Sequence, residues 1–146
     1  MMRQRNKIIS ALVSLIFLST LMATATEIIW SPWGPKTKVM ITNEVGGGRQ
    51  LTVHCSSFFV DNEDLGVHVV NPHDSYRFKF WIKASPPWFY CSMDWGAVGG
   101  PRWFDIYDPL RDADRCRSPA WCQWIVKESG PCTSMFGVQR CYPWKK

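Results

Sequence analysis

Residues 51–70, LTVHCSSFFVDNEDLGVHVV, constrain the fold of this chain more than any other stretch. Apolar and polar side chains alternate on both sides of an acidic turn, and a period of two residues is typical of strands that bury one face. The short polar side chains of residues 61–64 favour the turn, because they offer the backbone local hydrogen bonds that compete with sheet pairing. The stretch therefore predicts two strands joined by a polar loop, with Cys55 on the inward face.

Similar short runs recur along the rest of the chain, separated by proline, glycine and charged residues. Further strands are predicted at residues 38–44, 76–82, 89–95, 103–108 and 121–127. Three consecutive glycines at residues 46–48 favour a tight hairpin between the first strand and Leu51. About seven or eight short strands and no helical period predict an all-β chain, a small disulfide-linked antiparallel β-sandwich.

The alternation also assigns side chains to the two faces of each strand. Phe78 and Phe80 fall on an inward face, and the charged residues between and beside them fall outward. Trp81, Trp103 and Tyr107 fall on outward faces. Nine tryptophans are many for a chain of this size, and outward aromatic rings suit stacking on sugar rings. The more conservative interpretation is that loops or the tail cover these rings, since tryptophan adds core area in small disulfide-linked domains.

The N-terminus has the three parts of a secretory signal peptide. A basic start, MMRQRNK, precedes an uncharged apolar run at residues 8–21, and residues 23–25 (ATA) provide small side chains for cleavage. The apolar run is shorter than the roughly 20 residues that cross a bilayer. We therefore predict a signal peptide at residues 1–25, one secreted domain at residues 26–146, and no membrane-spanning segment after cleavage.

Charge argues against nucleic acid as a partner. Loss of Arg3, Arg5 and Lys7 with the signal peptide lowers the formal net charge from +5 to +2. The remaining basic residues are scattered along the sequence, whereas nucleic-acid binding requires clustered lysine and arginine. No nucleic-acid partner is predicted.

All the cysteines of the chain lie after the predicted cleavage site. An even number of cysteines in an exported chain predicts intramolecular disulfides, because the extracellular compartment is oxidising. The spacing does not match the paired C-x-x-C elements of structural zinc sites. Six cysteines allow many pairings, and the sequence does not choose among them. The six are Cys55, Cys91, Cys116, Cys122, Cys132 and Cys141.

Several short motifs, in order and spacing, resemble those of the plant self-incompatibility S-protein homologues, and they cover nearly all of residues 26–146. The matching motifs are residues 51–55 (LTVHC), 64–66 (DLG), 76–80 (YRFKF), 89–91 (FYC) with Trp95, 104–108 (FDIYD) with Arg111, 116–122 with Trp124, 130–132 (GPC) and 141–144 (CYPW). Three features depart from the family pattern. Residues 57–60 form a longer apolar loop, residues 86–88 read PPW, and the chain contains no Asn-x-Ser/Thr glycosylation site.

The resemblance implies an extracellular β-sandwich that acts as a recognition or signalling protein by binding a cell-surface protein receptor. The alternative is a secreted carbohydrate-binding or cell-wall-binding module that uses exposed aromatic residues. The two hypotheses differ in the surface that carries binding, since one places it on loops and the other on outward aromatic rings.

The residues provide no arrangement for catalysis. His54 and Cys55 are adjacent in a strand, so their side chains point to opposite faces and do not form a nucleophile–base pair. His68 and His73 have no carboxylate or cysteine at a spacing that favours metal binding. Residues 61–66 imitate the beginning of a calcium loop, but Pro72 occupies the position of its final glutamate. We predict that the protein is not an enzyme and holds no cofactor or metal.

Contacts with a partner are expected on loops, because loops vary without disturbing a rigid scaffold. The first predicted loop, residues 57–63, is apolar beside acidic residues, and the second, residues 83–88, is stiffened by prolines. The third, residues 108–118, carries arginine, which is enriched at interfaces, and its more conservative interpretation is a solvated connection. The residues predicted to bind the partner are Phe58, Phe59, Val60, Pro86, Pro87, Arg111, Arg115 and Arg117.

Overall fold

The computed structural model describes residues 36–58, 63–82, 87–116, 121–135 and 137–145. These residues belong to one compact unit, Trp33–Lys146. The predicted signal peptide at residues 1–25 lies outside the described residues, so it stays a prediction. Within the described residues, no helix has the length and apolar character needed to span a bilayer.

The described chain is built almost entirely from strands. The strands are β1 Lys36–Asn43, β2 Leu51–Phe58, β3 Asp64–Val70, β4 Ser75–Trp81, β5 Trp88–Asp94, β6 Arg102–Tyr107, β7 Trp121–Lys127, β8 Gly130–Met135 and β9 Val138–Cys141. One short helix, α1 Pro109–Asp112, follows β6. It begins where Asp108 accepts a hydrogen bond from the Leu110 amide, with proline at the first helical position.

The strands form two sheets packed face to face. The first sheet has the order β4-β1-β7-β8-β9 and the second the order β3-β2-β5-β6. The predicted all-β sandwich is therefore confirmed. One pair, β1 with β7, is parallel, and every other strand pair among the described residues is antiparallel.

The predicted hairpin between β1 and β2 is wrong, because these strands belong to different sheets. The glycines at 46–48 do have positive φ values, but the turn carries the chain from one sheet to the other. Asn43 holds this crossing in place, since its amide Nδ2 donates to the carbonyl oxygens of Arg49 and Val70, both at 2.9 Å. Turn residues specify a reversal of direction and not which strand the chain pairs with afterwards.

The predicted strand pair within residues 51–70 is confirmed. β2 and β3 are antiparallel, with Thr52 opposite Val69 and His54 opposite Val67. The inward faces of both sheets supply a single core of buried apolar and aromatic residues. Phe80 reaches this core from β4, where its ring lies 4.6 Å from that of Phe89.

Tyr107 was predicted to face outward, and it is fully buried. The reason is an irregularity in the pairing of β6 with β5. Phe89 pairs with Tyr107 and Cys91 pairs with Phe104, so three steps along β6 match two steps along β5. The extra residue of this β-bulge reverses the alternation, and both Phe104 and Tyr107 point into the core. Trp81 and Trp103 lie outward as predicted, with 36% and 47% of their surface exposed.

Three disulfides link the six cysteines, namely Cys55–Cys91, Cys116–Cys122 and Cys132–Cys141. Cys55 and Cys91 face each other on β2 and β5 inside the second sheet, and both are fully buried. Cys132 and Cys141 are likewise opposite each other on β8 and β9.

The variant Cys55→Ala/Cys91→Ala, which lacks the first bridge, is expected to lose more stability than Cys116→Ala/Cys122→Ala, which lacks the second. The first bridge spans 36 residues and the second spans 6, which predicts losses of about 4 and about 2 kcal/mol from the loop entropy of the unfolded chain. Denaturant unfolding without reductant measures both. All four cysteines are buried, so the loss of the sulfur atoms themselves should cost a similar amount at both bridges. Equal losses of stability, or a larger loss for Cys116–Cys122, would therefore contradict the loop-entropy explanation.

Candidate functional site

An exposed aromatic row crosses the outer face of the second sheet. Its members are Phe58, Trp88, Tyr90 and Trp103, and we call this surface the aromatic face. The ring centroids of Phe58 and Tyr90 are 4.6 Å apart, and those of Tyr90 and Trp103 are 6.0 Å apart. Phe58 is 49% exposed and Trp103 is 47% exposed, so the row presents aromatic surface to solvent.

Strand alternation and register explain why these rings meet. β2 turns Leu51, Val53 and Cys55 inward, which leaves Phe58 outward at the end of the strand. β5 buries Phe89 and Cys91, and Trp88 and Tyr90 therefore point to the opposite face. Phe58 pairs with Trp88 across the two strands. Tyr90 lies two residues along β5 from Trp88, and Trp103 pairs with Ser92, two residues beyond Tyr90, so Phe58, Tyr90 and Trp103 form a row that runs diagonally across the strands.

The C-terminal tail borders the aromatic face. The amide of Lys145 donates to the carbonyl oxygen of Trp103 at 3.0 Å, and the two residues form an isolated bridge along the edge of β6. The Lys145 ammonium also forms an ion pair with Asp105. Phe58, Trp88, Asp105 and Lys145 line a shallow pocket of about 260 Å³. The surface thus combines aromatic rings with one charged pair at its margin.

Of the residues predicted to contact a partner, Phe59, Val60, Pro86 and Arg117 lie outside the described residues. Phe58 lies on the aromatic face. Pro87 is buried and directly precedes Trp88. The structure therefore brings the ends of the first two predicted loops to one place, since Phe58 ends β2, Trp88 begins β5, and the two residues are paired.

Arg111 and Arg115 lie in a different environment from the solvated loop that the sequence suggested. Both guanidinium groups bind the carboxylate of Asp112, whose side chain is fully buried. Arg111 donates from Nε to Oδ1 at 2.8 Å and from Nη2 to Oδ2 at 2.6 Å, and Arg115 donates from Nε to Oδ1 at 2.8 Å. The Asp108 amide donates to Oδ2 at 2.9 Å. Asp112 thus accepts four hydrogen bonds.

Aromatic rings enclose the two arginines. The Arg111 guanidinium carbon lies 4.8 Å from the Trp124 ring centroid and 4.9 Å from that of Phe104. The corresponding distance from Arg115 to Trp124 is 4.4 Å. Only 20% of the Arg111 side chain and 9% of the Arg115 side chain are exposed. This arginine–aspartate cluster ties the segment after β6 to β7. Asp112, the centre of the cluster, was not among the residues predicted from the sequence, although Asp112 and Arg115 have the three-residue spacing at which side chains of one helical turn form ion pairs.

The three histidines lie in separate environments. His54 Nε2 is 2.7 Å from Asp64 Oδ1, and His73 Nδ1 is 2.9 Å from Glu44 Oε1. His68 instead stacks on Tyr76 with ring centroids 4.0 Å apart. Among the residues that the structure describes, a nucleophile, a base and an orienting group are not assembled around any of the three.

The carboxylate of Asp64, at the end of the acidic turn, takes part in two hydrogen bonds. A hydrogen bond from the Gly66 amide, followed by the hydrogen bond with His54, lowers the pKa of the Asp64 carboxyl below its ordinary value. Asp61 and Asn62 of the calcium-like stretch lie outside the described residues. Within the described ranges, histidine, cysteine, aspartate and glutamate side chains do not gather into a group of three or more that suits a metal ion.

Trp81 and Trp103 do not form one carbohydrate-binding surface. Trp81 lies on the outer face of the first sheet and Trp103 on that of the second, so the sandwich separates them. Tyr107, the third ring considered, is buried. The Lys36 ammonium lies over the Trp81 ring at 4.5 Å from its centroid.

Comparison with known proteins gives one family. The family model described as plant self-incompatibility protein S1 matches residues 38–144. S-protein homolog 5 of Arabidopsis thaliana is 39% identical over 118 residues, which cover 78% of this chain and 82% of that protein. S-protein homolog 4 of the same plant is 35% identical over 127 residues, with 82% and 78% coverage.

A solved structure supports the same fold. It is described as that of self-incompatibility protein homologue proteins, a widespread family of small, highly stable, secreted proteins from plants. The match has a TM-score of 0.51 and 18% identity, and it covers 80% of this chain and all of the solved chain. With a family model that spans most of the sandwich and relatives above 30% identity over most of their length, the chain belongs to the plant self-incompatibility S1 family of S-protein homologues.

Proposed function

We propose that this protein is secreted, that it works as an extracellular recognition protein by binding instead of catalysis, and that the aromatic face contacts a protein partner at a cell surface. The observation that carries the proposal is the row of Phe58, Tyr90 and Trp103, in which two rings are about half exposed. Aromatic side chains are enriched at protein interfaces and often supply a large part of the binding energy.

The scaffold supports this role because it holds the rings rigidly. The Cys55–Cys91 bridge joins β2 and β5, the two strands that carry Phe58 and Tyr90. A surface that is ordered before binding loses less conformational entropy when the partner docks. The surface therefore does not need to fold around its partner.

Two predicted loops adjoin these strands in the sequence. Phe59 and Val60 directly follow Phe58, and Pro86 and Pro87 directly precede Trp88. Loop residues at the margin of a rigid patch are suited to set specificity, because they vary without disturbing the core. The arginine–aspartate cluster has a structural role that accounts for Arg111 and Arg115, and the proposal does not require their contact with a partner.

The test is Phe58→Ser/Trp103→Ser in the mature chain, measured as the protease-sensitive binding of labelled protein to plant cell surfaces. We expect affinity to fall about tenfold or more, because two interface anchors are removed. Val98→Ser/Leu110→Ser is the matched control, since these apolar side chains are 95% and 92% exposed elsewhere. Unchanged binding by the aromatic variant, with both variants folded by circular dichroism, would refute the proposal.

The carbohydrate-binding alternative predicts a different response to treatment of the cells. The aromatic face favours a protein, because its rings are tilted by 37° and 33° to their neighbours and do not make one flat surface for sugar rings. Protease treatment of the cell surface should therefore remove the part of the binding that Phe58→Ser/Trp103→Ser also removes. Binding that survives protease and is competed by a neutral cell-wall polysaccharide would establish the alternative in its place.

A further inference from the structure

We propose that the outer face of the first sheet binds an acidic polysaccharide, a chain of sugar rings that carry carboxylates. This site lies on the opposite side of the sandwich from the aromatic face and is independent of the function proposed above. It consists of Lys36, Lys38, Arg77, Lys79, Trp81 and Trp121, and we call it the cationic face.

Alternation brings these side chains to one surface. β1 buries Thr37, Val39 and Ile41, so Lys36 and Lys38 point outward. β4 buries Phe80, and its outward positions are occupied by Arg77, Lys79 and Trp81. The sequence separates the two groups by 38 residues or more, yet the antiparallel pairing of β1 with β4 makes them neighbours. This explains why basic residues that are scattered in the sequence form a cluster in the fold.

The register produces a compact grid. Lys36 pairs with Trp81, and Lys38 lies between Lys79 on one side and Trp121 on the other. Neighbouring strands are about 5 Å apart and outward residues of one strand about 7 Å apart. Cations at such spacings are able to contact successive charged groups of one extended polymer.

The charge of this face is not balanced by carboxylates in its own strands. β1, β4 and β7 contain no aspartate or glutamate. Lys38 and Lys79 are directly opposite across two strands, an arrangement of like charges that destabilises a sheet. In the second sheet, by contrast, β3, β5 and β6 carry Asp64, Asp94 and Asp105. Strands β1, β4 and β7 therefore give the outer face of the first sheet basic side chains without acidic ones, although the net charge of the chain is small.

The tryptophans point to a sugar polymer as the ligand. Lys36 lies over the Trp81 ring, and the ammonium groups of Lys38 and Lys79 lie 5.6 and 5.9 Å from the Trp121 ring centroid. An ammonium group therefore lies over each ring. A sugar carboxylate that draws this flexible lysine side chain aside would bring the C–H face of the same sugar onto the aromatic surface. An anionic membrane fits less well, since membrane-surface proteins insert apolar side chains and Trp81 is only 36% exposed.

The experiment measures binding of the full mature chain to polygalacturonate by isothermal titration calorimetry. Arg77→Gln/Lys79→Gln is expected to weaken binding about tenfold, from the loss of two surface ion pairs. Arg102→Gln/Arg140→Gln removes the same charge from β6 and β9 and should bind as the unmodified protein does. Added salt should weaken the unmodified protein more than the Arg77/Lys79 variant. Equal binding by the two variants would overturn the proposal.

Three further probes separate the ligand classes. Fully methyl-esterified polygalacturonate lacks the charge and should not bind, and poly-glutamate lacks the sugar rings and should bind more weakly than polygalacturonate. Trp81→Ala should abolish the preference for polygalacturonate over poly-glutamate. Equal affinity of the unmodified protein for both polymers, or tighter binding to phosphatidylcholine–phosphatidylserine vesicles, would overturn the proposal in favour of an acidic peptide or a membrane. Because Phe58→Ser/Trp103→Ser leaves this face intact, the two proposals fail or succeed separately.

Discussion

Asp112→Ala is expected to lower the free energy of unfolding by about 3–5 kcal/mol, a shift of roughly 10–20 °C in the melting temperature. The carboxylate is fully buried and accepts hydrogen bonds from Arg111, Arg115 and the Asp108 amide. Its removal leaves two guanidinium groups near the core without their counter-ion. Removing one partner of a buried ion pair costs more than the pair itself contributes, because the remaining charge has lost its compensation.

Asp114→Ala is the matched control, since Asp114 is an exposed aspartate of the same segment. Its effect should stay within about 0.5 kcal/mol, as for most surface substitutions. Asp112→Asn keeps the shape of the side chain and part of its hydrogen bonding but removes the charge. Its loss of stability should fall between those of Asp112→Ala and Asp114→Ala. Denaturant unfolding in neutral buffer measures all three, and a loss below about 1 kcal/mol for Asp112→Ala would show that the cluster does not stabilise the fold.

Phe80→Ala is expected to cost about 3–5 kcal/mol, because a large aromatic side chain is deleted from a packed core. Phe80 is 7% exposed. Its ring centroid lies 4.6 Å from that of Phe89 and 4.8 Å from that of Tyr107, so the cavity opens between the two sheets. Phe78 is only partly buried, and Phe78→Ala should therefore cost less than Phe80→Ala.

The neighbouring charged residues provide internal controls for this prediction. Arg77→Ala and Lys79→Ala alter outward side chains of the same strand and should each change stability by about 0.5 kcal/mol or less. Thermal and denaturant unfolding of the four variants compares inward with outward positions directly. If the outward substitutions cost as much as Phe80→Ala, the assignment of faces in β4 is inverted.

Where a strand is regular, the alternation of apolar and polar residues was sufficient to predict the strand and its inward face. The alternation in residues 51–70 predicted two paired strands, and β2 and β3 are paired as expected. It failed for Tyr107, because a bulge in β6 inserts one residue and reverses the faces. A bulge depends on how two strands pair, and neither strand encodes that pairing in its own alternation.

The arginines of residues 108–118 show a second kind of limit. Charged residues in a connection usually indicate solvent exposure, and Arg111 and Arg115 were predicted to contact a partner from an exposed loop. Their guanidinium groups lie against Trp124, and they are compensated by Asp112. Burial of a cation is favourable only when a counter-ion and acceptors surround it. The counter-ion Asp112 is a neighbour in the sequence, but the enclosing ring of Trp124 and the Thr133 acceptor come from β7 and β8.

The sequence by itself determined the all-β class, the inward faces of regular strands, the presence of disulfides and the family, because periodicity, cysteine number and motif order are local properties. Tertiary structure decided that β1 and β2 belong to different sheets, which cysteines are bonded, and that scattered lysines and arginines share one face. These features depend on pairing between segments far apart in sequence. Such pairing is selected by the packing of the whole core, and no single segment carries the information that specifies it.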